Sequence, residues 1–323
     1  MRPNNELNTT KTQSVDLTGG ITLDNEQHPC EYCGGRTVLH GTRTNEHTVK
    51  QRFLCLDCKR TFTQDAEYGK LSVNPKVIAL VLDRYFKGIS LRKITDHLSQ
   101  FYDLEVSHIA VHKWIQKYTA MINKYADTIK PKTGEVWHGD ETMIKVGGQY
   151  HYLWNMLDEE TRFLLTANLT LNRGTEEAKQ FFQKSMKNGK PKVIITDSLG
   201  SYRKAYKKVV SKWWTRDVET KHAQLKGSRP QHIPFAGFIK KMNNNVIERY
   251  HGTTRERDKV MRGLKKEKTA KVMLDGFKNY YNLVREHSTL GTTPAQKAGI
   301  SLNLGKNEWM GLLKRSVTSK IGL

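Results

Sequence analysis

The chain has 323 residues, 37% of them hydrophobic, and carries 54 Lys and Arg against 32 Asp and Glu, a net charge of +22. This is enough for two or three domains with a sizeable core, and it excludes a disordered chain. No stretch approaches the about 18 apolar residues of a membrane span, and the polar N-terminus gives no sign of a secretory signal.

So large an excess of positive charge calls for a polyanionic partner, and nucleic acid is the first candidate. Residues 1–27 are polar and aperiodic and read as a mobile tail. All four cysteines follow, as Cys30-x2-Cys33 and Cys55-x2-Cys58 with 21 residues between the pairs. Thiolates two residues apart on a tight turn bind a metal from one side, and two such turns complete a tetrahedron. Residues 28–68 are therefore expected to form a ribbon around one structural Zn²⁺ held by Cys30, Cys33, Cys55 and Cys58. His28, His40 and His47 lie nearby, but four thiolates already satisfy the metal.

Residues 72–128 read as helical. Asn74 is an expected cap before Pro75, and Ile78, Val81, Leu82, Tyr85 and Phe86 mark one buried face. Gly88 stops this helix and Ser90 caps the next. Leu91, Ile94 and Leu98 form a second apolar stripe, and Val111, Ile115, Tyr118 and Ile122 a third. The helix with the third stripe would expose His108, His112, Lys113, Gln116 and Lys117, donors suited to phosphates and base edges. A helix-turn-helix-like DNA-binding unit is expected, with His112, Lys113 and Lys117 on its recognition helix. The connection from Phe101 to Glu105 is long for that motif.

After a linker at Lys130–Gly134 the pattern changes. Strands are expected at Glu135–Val146, Tyr150–Leu157 and Phe163–Leu171, with turns at Gly147-Gly148 and Asp158–Glu160. A helix capped by Thr175 follows, then a short apolar strand, Pro191–Thr196, that ends at Asp197. Further helices are expected at Tyr202–Val210, Asn245–Met261 and Thr269–Glu286, while residues 211–240 show no single pattern. The order βββ-α-β-α-(β)-α is that of an RNase H-like mixed-sheet α/β domain, assigned to residues 132–299. Residues 300–323 read as a basic tail.

Three acids stand where a fold of this kind holds side chains rigidly. Asp140 lies on the first strand, Asp197 ends a buried strand, and Glu248 lies early in a helix. Strand alternation points Asp140 and Glu141 to opposite faces, so only one of them is expected to be a ligand. Arg255 is seven residues beyond Glu248 and shares its face, where it could meet DNA phosphate. Two-metal phosphoryl transfer needs hard carboxylate ligands converging in this way. His138 and His251 flank the acids, and either packing or a role near the phosphate would suit them. Trp154, Trp213 and Trp214 could be core residues or could stack on a flipped base.

These residues carry a resemblance. From Val136 to Gly299 the chain resembles the catalytic domain of insertion-sequence DDE transposases, in the retroviral-integrase superfamily. The likeness rests on Trp137-His-Gly-Asp-Glu-Thr142, Ile195-Thr-Asp197, and Asn244-Asn-Val-Ile-Glu248 with Arg255. It continues through Tyr280-Tyr-Asn282, Arg285, His287, Leu290 and Thr293-Pro-Ala295. Cys30 to Phe62 is similar to the N-terminal zinc finger of several such proteins. The resemblance implies an RNase H-like fold with Asp140, Asp197 and Glu248 as the triad and two Mg²⁺ or Mn²⁺ ions per active site. It implies binding of terminal inverted repeats and of target DNA, strand cleavage to a 3′-hydroxyl and strand transfer. It further implies a homodimer or larger homo-oligomer in the cytoplasm of a prokaryotic host, associated with the nucleoid and not with a membrane. A non-catalytic DNA-binding regulator and a nuclease that cuts without joining are the competing expectations. One departure stands out: 50 residues separate Asp197 from Glu248, more than in many relatives. An insertion around Lys212–Phe238 would account for it.

Overall fold

The computed structural model describes residues 29–30, 32–45, 48–63, 73–219, 231–235, 244–261 and 264–318. The expected tail at 1–27 lies outside them.

Strands β1 (Thr37–Asn45), β2 (Thr48–Cys55) and β3 (Thr61–Thr63) form an antiparallel sheet in that order. Its small core is Phe53 stacked on Phe62, with Cys30 and Cys55. Helices α1 (Pro75–Phe86), α2 (Leu91–Tyr102) and α3 (His108–Ala126) follow. Each begins where a side chain takes up an N–H that the first turn leaves free: Asn74 accepts from Lys76, Ser90 from Lys93 and Ser107 from Ala110.

The second sheet begins with the expected meander, β4 (Val136–Val146), β5 (Gln149–Asp158) and β6 (Leu164–Thr170). Gly147 and Gly148 both take positive φ, 59° and 85°, the conformation a two-residue hairpin turn requires. Helix α4 (Thr175–Ser185) leads to β7 (Val193–Asp197), and α5 (Gly200–Glu219) to β8 (Gln231–Phe235). Thr175, expected as the cap of α4, is its first residue; Gly174 occupies the cap, and its N–H donates to the Glu177 carboxylate at 3.1 Å. The sheet order is β6-β5-β4-β7-β8, with β7 parallel to both β4 and β8, which is the RNase H-like topology. β8 supplies the strand that residues 211–240 did not reveal.

Helices α4 and α5 cover one face of this sheet, where Trp154 packs on Phe181 and Tyr202. Helices α6 (Asn245–Met261) and α7 (Glu267–Leu283) cover the other; α6 lies against β4 and β5, and α7 against β6. Asn282 of α7 takes the place of a strand, bonding both the N–H and the C=O of Leu164.

The helices α1–α3 share a core with the second sheet. Helix α7 is common to both. Its Gly276 lies so close to α1 and α3 that an added Cβ would sit 2.7 Å from the Phe86 ring and collide with Thr119. Asn279 donates to Asn123, which itself donates to the carbonyl of Val272. A short helix, α8 (Pro294–Lys297), precedes α9 (Glu308–Thr318). Residues 300–323, expected as a basic tail, thus contain a docked helix. Trp309, Leu312 and Leu313 of α9 are buried against α1 and α3, with Trp309 stacked on Phe86 at 5.4 Å. An eleven-residue stripe flanked by lysines gives too short a period to read without its partners. Among the described residues no helix is long and apolar enough to cross a membrane.

Candidate active site and metal centre

The four cysteine sulfurs lie within 4.8 Å of one another. Cys30 Sγ is 3.7 Å from Cys58 Sγ, and Cys33 Sγ is 3.5 Å from Cys55 Sγ. A tetrahedron with Zn–S bonds of about 2.3 Å has S–S edges of about 3.8 Å. Gly34, at φ 73°, turns the first knuckle. The N–H groups of Tyr32 and Cys58 donate to the sulfurs of Cys30 and Cys55, each at 3.4 Å. The Cys58 N–H is the main influence lowering the Cys55 thiol pKa to about 7. Donor type, spacing and backbone hydrogen bonds all fit a metal that binds thiolate.

The acids converge by a different route. β4 and β7 run parallel with Gly139 beside Thr196, so the next residues, Asp140 and Asp197, emerge side by side. Asp140, Glu141 and Asp197 each offer an oxygen, all within 4.8 Å of one another. Alternation along β4 holds. Asp140 lies opposite Asn155 and faces α6; Glu141 lies opposite Trp154 and faces α5. Glu141 nevertheless reaches the same cleft where β7 ends, its carboxylate within 4.8 Å of those of Asp140 and Asp197.

Each acid has its own support. His251 Nδ1 is 3.5 Å from Asp140 Oδ2, and Asn155 Nδ2 is 3.1 Å from His251 Nε2. Burial, then the charge of Arg255, lowers the His251 pKa to about 4, so its ring is neutral near pH 7. With Nε2 accepting from Asn155, the remaining ring proton sits on Nδ1, facing Asp140. The Tyr202 hydroxyl donates to Glu141 Oε2 at 2.5 Å, and Arg173 pairs with Glu141 Oε1 while reaching Asp197 Oδ2 at 3.4 Å. Asp197 Oδ1 accepts from the N–H of Leu199 at 3.0 Å. Burial, then the charges of Glu141 and Asp197, pushes Asp140 up to about 7, and burial also raises Glu141. Such a cluster favours any cation that can enter it.

Glu248 is exposed in the first turn of α6, and its N–H bonds to the carbonyl of Asn244. It stands outside the group of three, yet its charge is among those that raise Asp140. Asn244 Oδ1 is 3.1 Å from buried His138 Nδ1, so α6 is tied to the sheet through both His138 and His251. Packing and hydrogen bonding thus account for both histidines. Arg255 is exposed on α6; Lys113 and Lys117 are exposed on α3, where His112 is half-buried beside Gln116. Trp154 is fully buried and donates to Thr170 Oγ1 at 2.7 Å, so it is a core residue and cannot stack on a flipped base. The side chains of Trp213 and Trp214 lie outside the described residues. Sequence reasoning passed over Arg173 and Tyr202; the one available signal was an arginine just before a helix that follows a strand.

Residues 134–287 match a protein family described as a DDE domain. The chain is 27% identical over 235 residues to the transposase for insertion sequence-like element IS431mec of Staphylococcus aureus, covering 71% of this chain and 95% of that protein. The same figures hold for the transposase for insertion sequence element IS257 in transposon Tn4003 of Staphylococcus aureus. Among solved structures, the HTLV-2 integrase catalytic core domain in complex with magnesium (trimeric form) aligns at 14% identity and a TM-score of 0.38, over 53% of this chain and 98% of that one. Residues 134–287 thus carry a DDE domain on a sheet of RNase H-like order, and the chain as a whole is similar to the transposases of insertion sequences.

Proposed function

We propose that the chain binds insertion-sequence ends, cleaves a strand to free a 3′-hydroxyl and transfers that hydroxyl onto target DNA, by two-metal phosphoryl transfer. Asp140, Asp197 and Glu248 would hold two Mg²⁺ or Mn²⁺ ions. The observation that carries this reading is the convergence of Asp140 with Asp197 at the end of β7, where burial, then the neighbouring acids, pushes Asp140 up to about 7. When bound, the ions would stabilise charge on the transferring phosphate and on the attacking oxygen. Asp140 stays oriented because His251 and Asn155 brace it from the α6 side. Asn244 and His138 fix the start of α6, which carries Glu248. Arg255, two turns further along α6, is suited to a phosphate beside the acids.

The other parts of the chain serve recognition. Cys30, Cys33, Cys55 and Cys58 would hold one structural Zn²⁺ in a ribbon at 28–68. The unit at 72–128 would dock on DNA through His112, Lys113 and Lys117 of α3. The chain would work in the cytoplasm as a homodimer or larger homo-oligomer, since two element ends must be joined. The test uses full-length protein and duplex DNA carrying the ends that flank its gene. Wild type should bind, cleave and join in Mg²⁺, and the Asp140→Ala, Asp197→Ala and Glu248→Ala variants should bind without cleaving. A wild type that binds ends but cleaves in neither Mg²⁺ nor Mn²⁺ is a regulator instead.

A further inference from the structure

Beyond the acids, part of one face of the second sheet is uncovered by the described residues. α4 and α5 pack on it at Trp154, while further outward on β4 and β5 Met143, Lys145 and Tyr150 are exposed and Tyr152 is half-buried. On this face Met143 lies opposite Tyr152 and Lys145 opposite Tyr150. Met143 is 60% exposed and Tyr150 63% exposed. Their neighbours along β4 on the opposite face, Thr142, Ile144 and Val146, are buried, so the exposure belongs to one side of the strand. Two cations lie over the rings: Lys145 Nζ is 6.0 Å from the Tyr150 centroid, and the Arg173 guanidinium is 5.9 Å from that of Tyr152.

The strip is continuous with the acid cluster through Arg173, which also pairs with Glu141 and reaches Asp197. From Glu141 to Lys145 is four residues, about 14 Å of strand, or the length of a few stacked bases. Beyond Glu141, already engaged by Arg173 and Tyr202, no acidic side chain among the described residues lies on it.

We infer that this strip is a stacking platform for unpaired nucleotides of the DNA strand at the active site, with Tyr150 and Tyr152 receiving bases and Lys145 and Arg173 receiving phosphates. The inference rests on the transposase reading above and names where that enzyme would place an opened strand end. Aromatic faces interleaved with cations bind single strands without regard to sequence. A second copy of the chain is the poorer occupant. A two-fold contact through this strip would bring Lys145 and Arg173 of both copies together in a chain of net charge +22.

The experiment compares full-length wild type with Tyr150→Ala and Tyr150→Phe, in Ca²⁺ to withhold chemistry. Two end duplexes are used, one fully paired and one with four unpaired nucleotides at the cleavage site, one of them 2-aminopurine. Wild type should prefer the unpaired end roughly tenfold, with the 2-aminopurine fluorescence quenched on binding. Tyr150→Ala should lose the preference and the quenching while binding the paired duplex as before; Tyr150→Phe should keep both. Equal binding of the two duplexes by wild type, or an unchanged preference in Tyr150→Ala, would overturn the platform and leave the transposase reading intact. Wild type that binds neither duplex would overturn both. If Met143→Asp shifts the sedimentation of the free protein while the unpaired-end preference survives, the strip is a subunit contact and the platform is refuted.

Discussion

The chain gathers two sets of candidate metal ligands, each within 4.8 Å of one another, by contrasting means. The four thiols come from two local turns on one small sheet, and a turn's own backbone N–H groups stabilise their charge. The acids come from positions 140, 141 and 197, and only the parallel pairing of β4 with β7 brings them together. Within the thiol group no protein cation intervenes among the described residues. Within the acid group Arg173 already lies across Glu141 and Asp197. A closed tetrahedral site suits a metal that never leaves, while an open carboxylate site with its own counter-cation suits ions that share the cleft with substrate.

The contrast can be broken most forcefully at the thiols. Cys55→Ser should abolish zinc binding and unfold the small sheet, a local loss on the order of 10 kcal/mol. Metal analysis should fall from one zinc per chain to none, while the main thermal transition, which reports the larger core, stays in place. If the main transition collapses too, the two regions are not independent.

At the acids the expected loss is in rate rather than structure. Asp197→Ala should slow end cleavage by about a thousandfold or more, on the order of 4 kcal/mol, and leave the zinc content unchanged. Glu141→Ala sharpens the comparison. Because Glu141 is bound by Arg173 and Tyr202, its removal should destabilise the larger core by about 1–3 kcal/mol, read by denaturant titration. A silent Glu141→Ala would mean that the cluster is not a unit.

The smallest effect is in pH. Asp140 is raised from an ordinary 3.8 to about 7. A carboxyl raised in this way binds its proton more tightly when folded, so the metal-free protein is most stable below the unfolded value and loses that contribution as pH rises towards about 7. Mg²⁺ relieves the repulsion only once the proton has left. Its stabilisation, read as a shift in melting temperature, should therefore be larger near pH 7.5 than near about pH 5.5. A shift independent of pH would place Mg²⁺ elsewhere.

What sequence could convey follows the same division. Two Cys-x2-Cys pairs are a local signal, and so were the caps at Asn74 and Ser90 and the turn at Gly147-Gly148, each of which the structure contains. The strand–Asp pattern at Asp140 and Asp197 was legible because each acid is placed by its own short segment. The reach of Glu141 into the cleft was not. Periodicity tells which face a side chain takes but not where that face ends. Tyr202 was invisible for the same reason, and Arg173 nearly so, since their meaning lies in a carboxylate 61 or 32 positions away. Helix α9 looked like a tail because its stripe has meaning only against α1 and α3.

That last contact imposes an order on biosynthesis. The Phe86 ring is laid down early on the ribosome, yet Trp309, which covers it, comes more than two hundred residues later. Until then the aromatic surface of α1 is covered only in part, by Tyr280 of α7, and closure by a pairing so distant along the chain is slow. A transcript cut short before Glu308 would yield a polypeptide with every proposed ligand in place and a greasy seam at its N-terminal helices. Such a product is a substrate for proteases and chaperones, so protein that persists in the cell should be mostly full-length.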